Sequence, residues 1–144
     1  MTRQTNILLI DDNLTVRQAL GQVLAVENYN VVSADNHRDA LRTFGQRPID
    51  IVLLDLSPRN GDVWDTLQRL TALRPNLPIV AMTARREYLK PYSGAHWVDV
   101  LLEKPLNLPV LIHTLQQLAS PTANNQRCGR SDSNHPLRSN SPQL

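Results

Sequence analysis

Ile49-Asp50-Ile51-Val52-Leu53-Leu54 is a β-branched, apolar run that stops at an acid, Asp55. A run with so little alternation suits a strand covered on both faces, as in a parallel sheet flanked by helices. The spacing predicts this strand as the central one. A second such run, Asn6 to Ile10, also stops at acids, Asp11-Asp12. Between the two, Val16, Ala19, Leu20, Val23 and Leu24 recur at helical spacing and predict a helix over 14–26, capped by Asn13 or Asp12. A short strand over 29–34 follows, then a helix capped by Asn36 that carries Ala40, Leu41 and Phe44 and ends at Gly45.

Beyond Asp55, Ser57-Pro58-Arg59-Asn60-Gly61 has turn chemistry, and Val63, Trp64, Leu67, Leu70 and Leu73 mark a third helix that closes before Pro75. Leu77 to Met82 reads as a fourth strand and Val98 to Leu102 as a fifth, with only a short helix over 85–90 between them because Pro91 and Gly94 interrupt the pattern. Lys104-Pro105 makes a sharp turn into a last helix over 108–119, capped by Asn107, with Leu111, Ile112, Leu115 and Leu118 as its apolar stripe. The expected fold is therefore α/β, a doubly wound five-stranded parallel sheet with helices on both faces. Residues 120–144 are rich in Ser, Asn, Pro, Arg and Gln and offer little to bury, so they are expected to form a disordered tail after a domain over 1–119.

Composition narrows the function classes. The 144 residues suffice for about one domain. No apolar run approaches the roughly 18 residues of a membrane span, and no signal-peptide core precedes Asp11, so a cytoplasmic home is expected. The single cysteine, Cys128, has no partner in the chain for a disulfide. Arg127, Arg130 and Arg138 against Asp132 place the whole formal charge of +2 in the tail, while the body balances. The high pI is thus no argument for nucleic acid, and the tail is too short for an output or DNA-binding domain.

In an open parallel sheet, functional groups gather beyond the carboxyl ends of the strands. Asp11 and Asp12 follow the first strand and Asp55 the third, so neighbouring strands would bring three carboxylates into one pocket. Such charges share protons or hold a cation, and an all-oxygen set points to Mg²⁺. Asp also terminates strands and caps helices without further purpose. Here, however, Thr83 and Lys104 arrive independently at the same rim, past the fourth and fifth strands. Acid, metal, hydroxyl and ammonium together form the set that phosphoryl transfer requires. His37, His96, His113 and His135 lack ligand spacing, and Trp64 and Trp97 read as packing residues.

Ile7-Leu8-Leu9-Ile10-Asp11-Asp12-Asn13 with Arg17 and Leu20 following, Val52-Leu53-Leu54-Asp55-Leu56, Pro78 to Ala84 and Glu103-Lys104-Pro105-Leu106 stand in that order, 44 residues separating Asp11 from Asp55, 28 more leading to Thr83 and 21 more to Lys104. Over residues 5 to 119 the pattern resembles the receiver domain of two-component response regulators, of flavodoxin-like topology. The resemblance implies that Asp55 is the phospho-acceptor, Asp12 a direct and Asp11 a water-mediated Mg²⁺ ligand, and the Ser57 carbonyl a further ligand. It also implies that Thr83 bonds the acyl phosphate and Lys104 pairs with it, that the Leu56 and Ala84 backbones contact the phosphoryl group, and that the Lys104-Pro105 bond is cis. The implied partners are a sensor histidine kinase or phosphotransfer protein and a downstream protein met by contact. The implied chemistry is self-catalysed acceptance and slow loss of one phosphoryl group, not enzymatic turnover.

Three positions depart from the family pattern. Pro58 and Gly61 stand third and sixth after Asp55, making that loop about two residues short; Leu101 stands where the family places a switching Tyr or Phe; and Pro91 interrupts the fourth helix of the family. The short loop and Leu101 motivate one alternative, a degenerate receiver that binds partners without phosphorylation. A second alternative is a phosphatase of the haloacid dehalogenase type, which needs acids two apart where Asp11 and Asp12 are adjacent.

Overall fold

The computed structural model describes residues 4–56, 63–84 and 98–119. Nine elements follow one another: β1 (Asn6–Ile10), α1 (Leu14–Val26), β2 (Asn30–Ala34), α2 (His37–Gln46), β3 (Ile51–Asp55), α3 (Val63–Leu73), β4 (Ile79–Thr83), β5 (Val100–Glu103) and α4 (Leu108–Ala119). The strands form one sheet in the order β2-β1-β3-β4-β5, and every pairing is parallel. This is the doubly wound architecture expected from the alternation of strand-like and helix-like segments. Ser57, the short helix expected over 85–90, and the tail over 120–144 lie outside the described residues.

The three inner strands β1, β3 and β4 are apolar at successive positions because each face meets its own helices. Leu8, Ile10, Val52, Leu54, Ile79 and Ala81 pack on one side with Ala40 and Phe44 of α2 and Val63, Leu67 and Leu70 of α3. Ile7, Leu9, Ile51, Leu53, Val80 and Met82 pack on the other with Leu20 and Leu24 of α1 and Leu111, Leu115 and Leu118 of α4. Each Leu or Ile side chain so buried contributes roughly 1.5–3 kcal/mol. Ala19 and Leu73, expected on buried helix faces, instead face solvent; Leu73, the last residue of α3, is 61% exposed.

Asparagine opens three helices. Asn13 Oδ1 accepts from Val16 N, Asn36 Oδ1 from Asp39 N and Asn107 Oδ1 from Val110 N, each satisfying a first-turn donor that the helix cannot. Of the two candidate caps for α1, Asn13 is the one used. Another asparagine closes the same helix's exit: Asn28 adopts φ 71, a left-handed conformation that Asn tolerates better than most residues.

Three strands are displaced from their expected bounds in the same direction. β3, β4 and β5 begin at Ile51, Ile79 and Val100, not at 49, 77 and 98, and run on to Asp55, Thr83 and Glu103. Ile49, Leu77 and Val98 are indeed buried, but they sit below the ladder, where Pro48 and Pro78 have no N–H to donate. Burial and ladder pairing are separate properties, and apolarity reports only the first.

The amino end of the sheet is closed by a device used twice. Asp50 N donates to Asn6 O at 2.8 Å while Asp50 Oδ2 accepts from Asn6 N at 2.7 Å. Asp99 N donates to Ile79 O while Asp99 Oδ2 accepts from Ile79 N, both at 2.8 Å. In each case an acid one residue before a strand clamps the first residue of the neighbouring strand. Among the described residues, no helix is long and apolar enough to cross a membrane.

Candidate functional site

Ile10 of β1 pairs with Leu54 of β3, so the residues that follow, Asp11 and Asp55, emerge side by side at the carboxyl edge. Carboxylate oxygens of Asp11, Asp12 and Asp55 all lie within 4.8 Å of one another. Asp11 is fully buried and Asp55 nearly so, at 0% and 5% exposure, while Asp12 remains accessible to solvent. Lys104, just past β5, reaches across β4 and places Nζ 3.0 Å from Asp55 Oδ1 and 3.2 Å from Asp11 Oδ2. Its own N–H donates to Thr83 O at 2.6 Å, which ties the Lys104 backbone to the end of β4. The Lys104-Pro105 peptide is cis.

Asp11 is held at every oxygen. Oδ1 accepts from Asn13 N at 2.9 Å, Oδ2 from Lys104 Nζ, and the backbone O from Arg17 Nη1 at 2.7 Å. Thr83 is buried at the last position of β4, and Ala84 is exposed just beyond it. The Leu56 N–H, expected as a phosphoryl contact, donates at 2.7 Å to Met82 O and so extends the β3–β4 ladder. Leu101 is buried at 7% exposure, packed in the α2–α3 layer.

The charges are coupled. Burial pushes the Asp55 carboxyl above its ordinary range, Asp11 adds to this, and Lys104 pulls against both. For Lys104, burial alone would lower the ammonium pKa, but the charges of Asp55 and Asp11 and their hydrogen bonds outweigh it and raise it. Among the described residues, three carboxylates face one ammonium, a set suited to a hard divalent cation with oxygen ligands. The donor set fits Mg²⁺: Asp12 and Asp55 can offer oxygens directly, while Asp11, with both carboxylate oxygens already bonded, is suited to an outer role through water.

Sequence reasoning brought Asp11, Asp12, Asp55, Thr83 and Lys104 to one edge of the sheet, and the structure sets them there. It missed the contact from Arg17 to Asp11 O. The signal was available, since Arg17 is the one charged residue in the thirteen of α1.

The model of the response regulator receiver domain matches residues 7–116. The chain belongs to that family. The receiver similarity extends to proteins of several kinds: the DNA-binding transcriptional regulator NtrC of Bradyrhizobium is 31% identical over 81% of this chain, and the sensor histidine kinase RcsC of Salmonella typhimurium is 34% identical over 76%. The response regulator MprA of Mycolicibacterium vanbaalenii is 29% identical over 87%. The chain spans only 25%, 12% and 54% of the lengths of those three relatives. Among solved receivers, a two-component response regulator of Clostridium difficile superposes with a TM-score of 0.75 at 26% identity, covering 83% of this chain and 98% of the other. Response regulator TrrA of Thermotoga maritima, solved in complex with Mg²⁺-BeF, shares the fold with a TM-score of 0.71 at 22% identity, covering 80% and 99%.

Proposed function

We propose that this receiver accepts a phosphoryl group on Asp55 from the phosphohistidine of a sensor histidine kinase or phosphotransfer protein, and signals by protein–protein contact. The observation that carries the reading is the bridge of Lys104 between Asp55 and Asp11, beside a cluster of three carboxylates.

The step follows from the chain's own groups. An Asp55 carboxylate oxygen attacks phosphorus in line with the departing imidazole nitrogen; the P–N bond breaks as the new P–O bond forms, and the imidazole carries away the bonding pair. Lys104 Nζ, already on Asp55 Oδ1, pairs with the incoming phosphoryl oxygens, and the Thr83 hydroxyl donates to another. The Ala84 N–H and, if released from Met82 O, the Leu56 N–H supply the backbone donors. Mg²⁺, held by Asp12, Asp55 and the Ser57 carbonyl with Asp11 behind a water, would neutralise the phosphoryl oxygens during transfer. Because the phosphoryl group ends on the protein itself, each chain reacts once per cycle and does not turn over an external substrate. Residues 1–119 form the unit that does this, with 120–144 as an appendage, and a cytoplasmic location accords with a phosphohistidine donor.

The dehalogenase-type alternative requires Asp11 as nucleophile, and both of its carboxylate oxygens are already engaged inside the protein. The degenerate-receiver alternative and the proposal separate in one experiment. With radiolabelled acetyl phosphate and Mg²⁺, the wild-type protein is expected to form an acid-stable, base-labile acyl phosphate that Asp55→Asn does not form. Labelling that survives in Asp55→Asn moves the acceptor elsewhere, and no labelling of the wild type supports the degenerate reading.

A further inference from the structure

We propose that Arg17 is a positioning residue for Asp12: by gripping the Asp11 carbonyl it holds the β1–α1 turn from which Asp12 faces the cation. This inference rests on reading the acid cluster as an Mg²⁺ site.

α1 and α4 cover the same face of the sheet. Of their thirteen and twelve residues, Arg17 is the only Asp, Glu, Lys or Arg. The opposite layer is different, with Arg42 paired to Asp39 on α2 and Arg69 to Asp65 on α3. A basic residue on a solvated helix face ordinarily reaches into water or toward an acid on its own helix. Arg17 does neither: Nη1 turns back past the N-cap and donates to Asp11 O at 2.7 Å in a partly buried setting.

The location of that bond gives it its effect. Asp11 O lies on the peptide that leads into Asp12, and Asn13 N, bonded to Asp11 Oδ1, lies on the peptide that leads out. Arg17 N, bonded to Asn13 O, ties the same residue to the first turn of α1. Both peptides flanking Asp12 are therefore fixed, and the direction in which its side chain leaves the backbone is fixed with them. Asp11, saturated with partners, thus acts as the post of this turn, and Arg17 secures the one oxygen of Asp11 that neither Lys104 nor Asn13 reaches. Groups that orient a metal ligand without touching the metal commonly change affinity about tenfold or more when removed.

The sign of the effect separates this role from a mere charge. A guanidinium close to the acids repels a cation, so as a bystander Arg17 would weaken Mg²⁺ binding and its removal would tighten it. As a positioning residue, its removal loosens binding although a repulsive charge has gone.

The test is Mg²⁺ titration of the full chain by calorimetry for wild type, Arg17→Met and Arg17→Lys. Amide resonances of Asp12 and Asn13 are recorded without metal, and cooperative unfolding in EDTA checks the fold. Arg17→Met is expected to bind Mg²⁺ about tenfold more weakly with the Asp12 and Asn13 amides shifted or broadened, and Arg17→Lys, which keeps one charged donor, to fall between it and wild type. If Arg17→Met does not unfold cooperatively, Arg17→Gln, which keeps a neutral donor on a shorter stem, takes its place. A folded variant that binds Mg²⁺ as tightly as wild type or more tightly overturns the role of Arg17, whereas a wild type that takes up no Mg²⁺ overturns the site reading on which it rests.

Discussion

Lys104 Nζ lies 3.0 Å from Asp55 Oδ1 although the two residues leave strands that are not neighbours. The ammonium serves Asp11 from the same position, so a single cation is shared by two buried carboxylates.

Lys104→Met should therefore destabilise the metal-free protein by about 3 kcal/mol at neutral pH, because two buried carboxylates lose their shared partner. Urea unfolding in EDTA measures this. An unchanged midpoint would mean that water already neutralises the pocket.

Asp55→Asn should act in the opposite direction. Asp55 ionises less readily in the folded chain than in the unfolded one, so its stabilising contribution is greatest below the ordinary carboxylate pKa of about 4 and is lost as pH rises through the raised folded value. Carboxylate oxygens within 4.8 Å of each other repel by roughly 3 kcal/mol at an effective dielectric near 20, and Lys104 offsets part of this. Without divalent ions, Asp55→Asn is expected to be more stable than wild type by about 1 kcal/mol at pH 7, the gain vanishing toward pH 3.5. A variant less stable than wild type at pH 7 would contradict the sign.

Added Mg²⁺ should reverse that ranking. At a hundred times its dissociation constant, a ligand that binds only the folded chain adds about 2.7 kcal/mol. Thermal unfolding of wild type should shift upward with Mg²⁺, and Asp12→Ala should abolish the shift. A shift of equal size in Asp12→Ala would remove Asp12 from the ligand set.

The paired clamps at the amino end of the sheet give a prediction remote from the site. Asp99→Ala and Asp50→Ala should each cost about 2 kcal/mol, the range for a hydrogen bond to a charged group. Asp99→Asn, which keeps an acceptor oxygen, should cost less. Hydrogen exchange should quicken at the Ile79 amide in Asp99→Ala and at the Asn6 amide in Asp50→Ala, and protection unchanged at both would show that the ladder alone sets strand register.

Elements with two independent signals were legible to within a residue, α2 running on to Gln46, one past the expected end at Gly45. α1 and α4 each combine an asparagine cap with an apolar stripe, and both match their expected limits. β3, β4 and β5 were misplaced because apolarity marks where a chain is covered, not where it pairs. The acid pocket was legible because it needs only the rule that strand ends converge, whereas Asp50, Asp99 and Arg17 were not, because their roles depend on which backbone atom lies opposite. Arg74 illustrates the same limit: its guanidinium donates to Ile49 O and lies over the Phe44 ring at 5.8 Å, joining three segments that no periodicity connects.

The Lys104–Asp11 contact joins residues 93 positions apart, the first strand to the last. Bringing together groups so distant along the chain costs loop-closure entropy, which the strands between them help to offset. The ammonium therefore reaches the acids only where the first and last strands are held in one sheet, so this single contact reports on the assembly of the sheet as a whole.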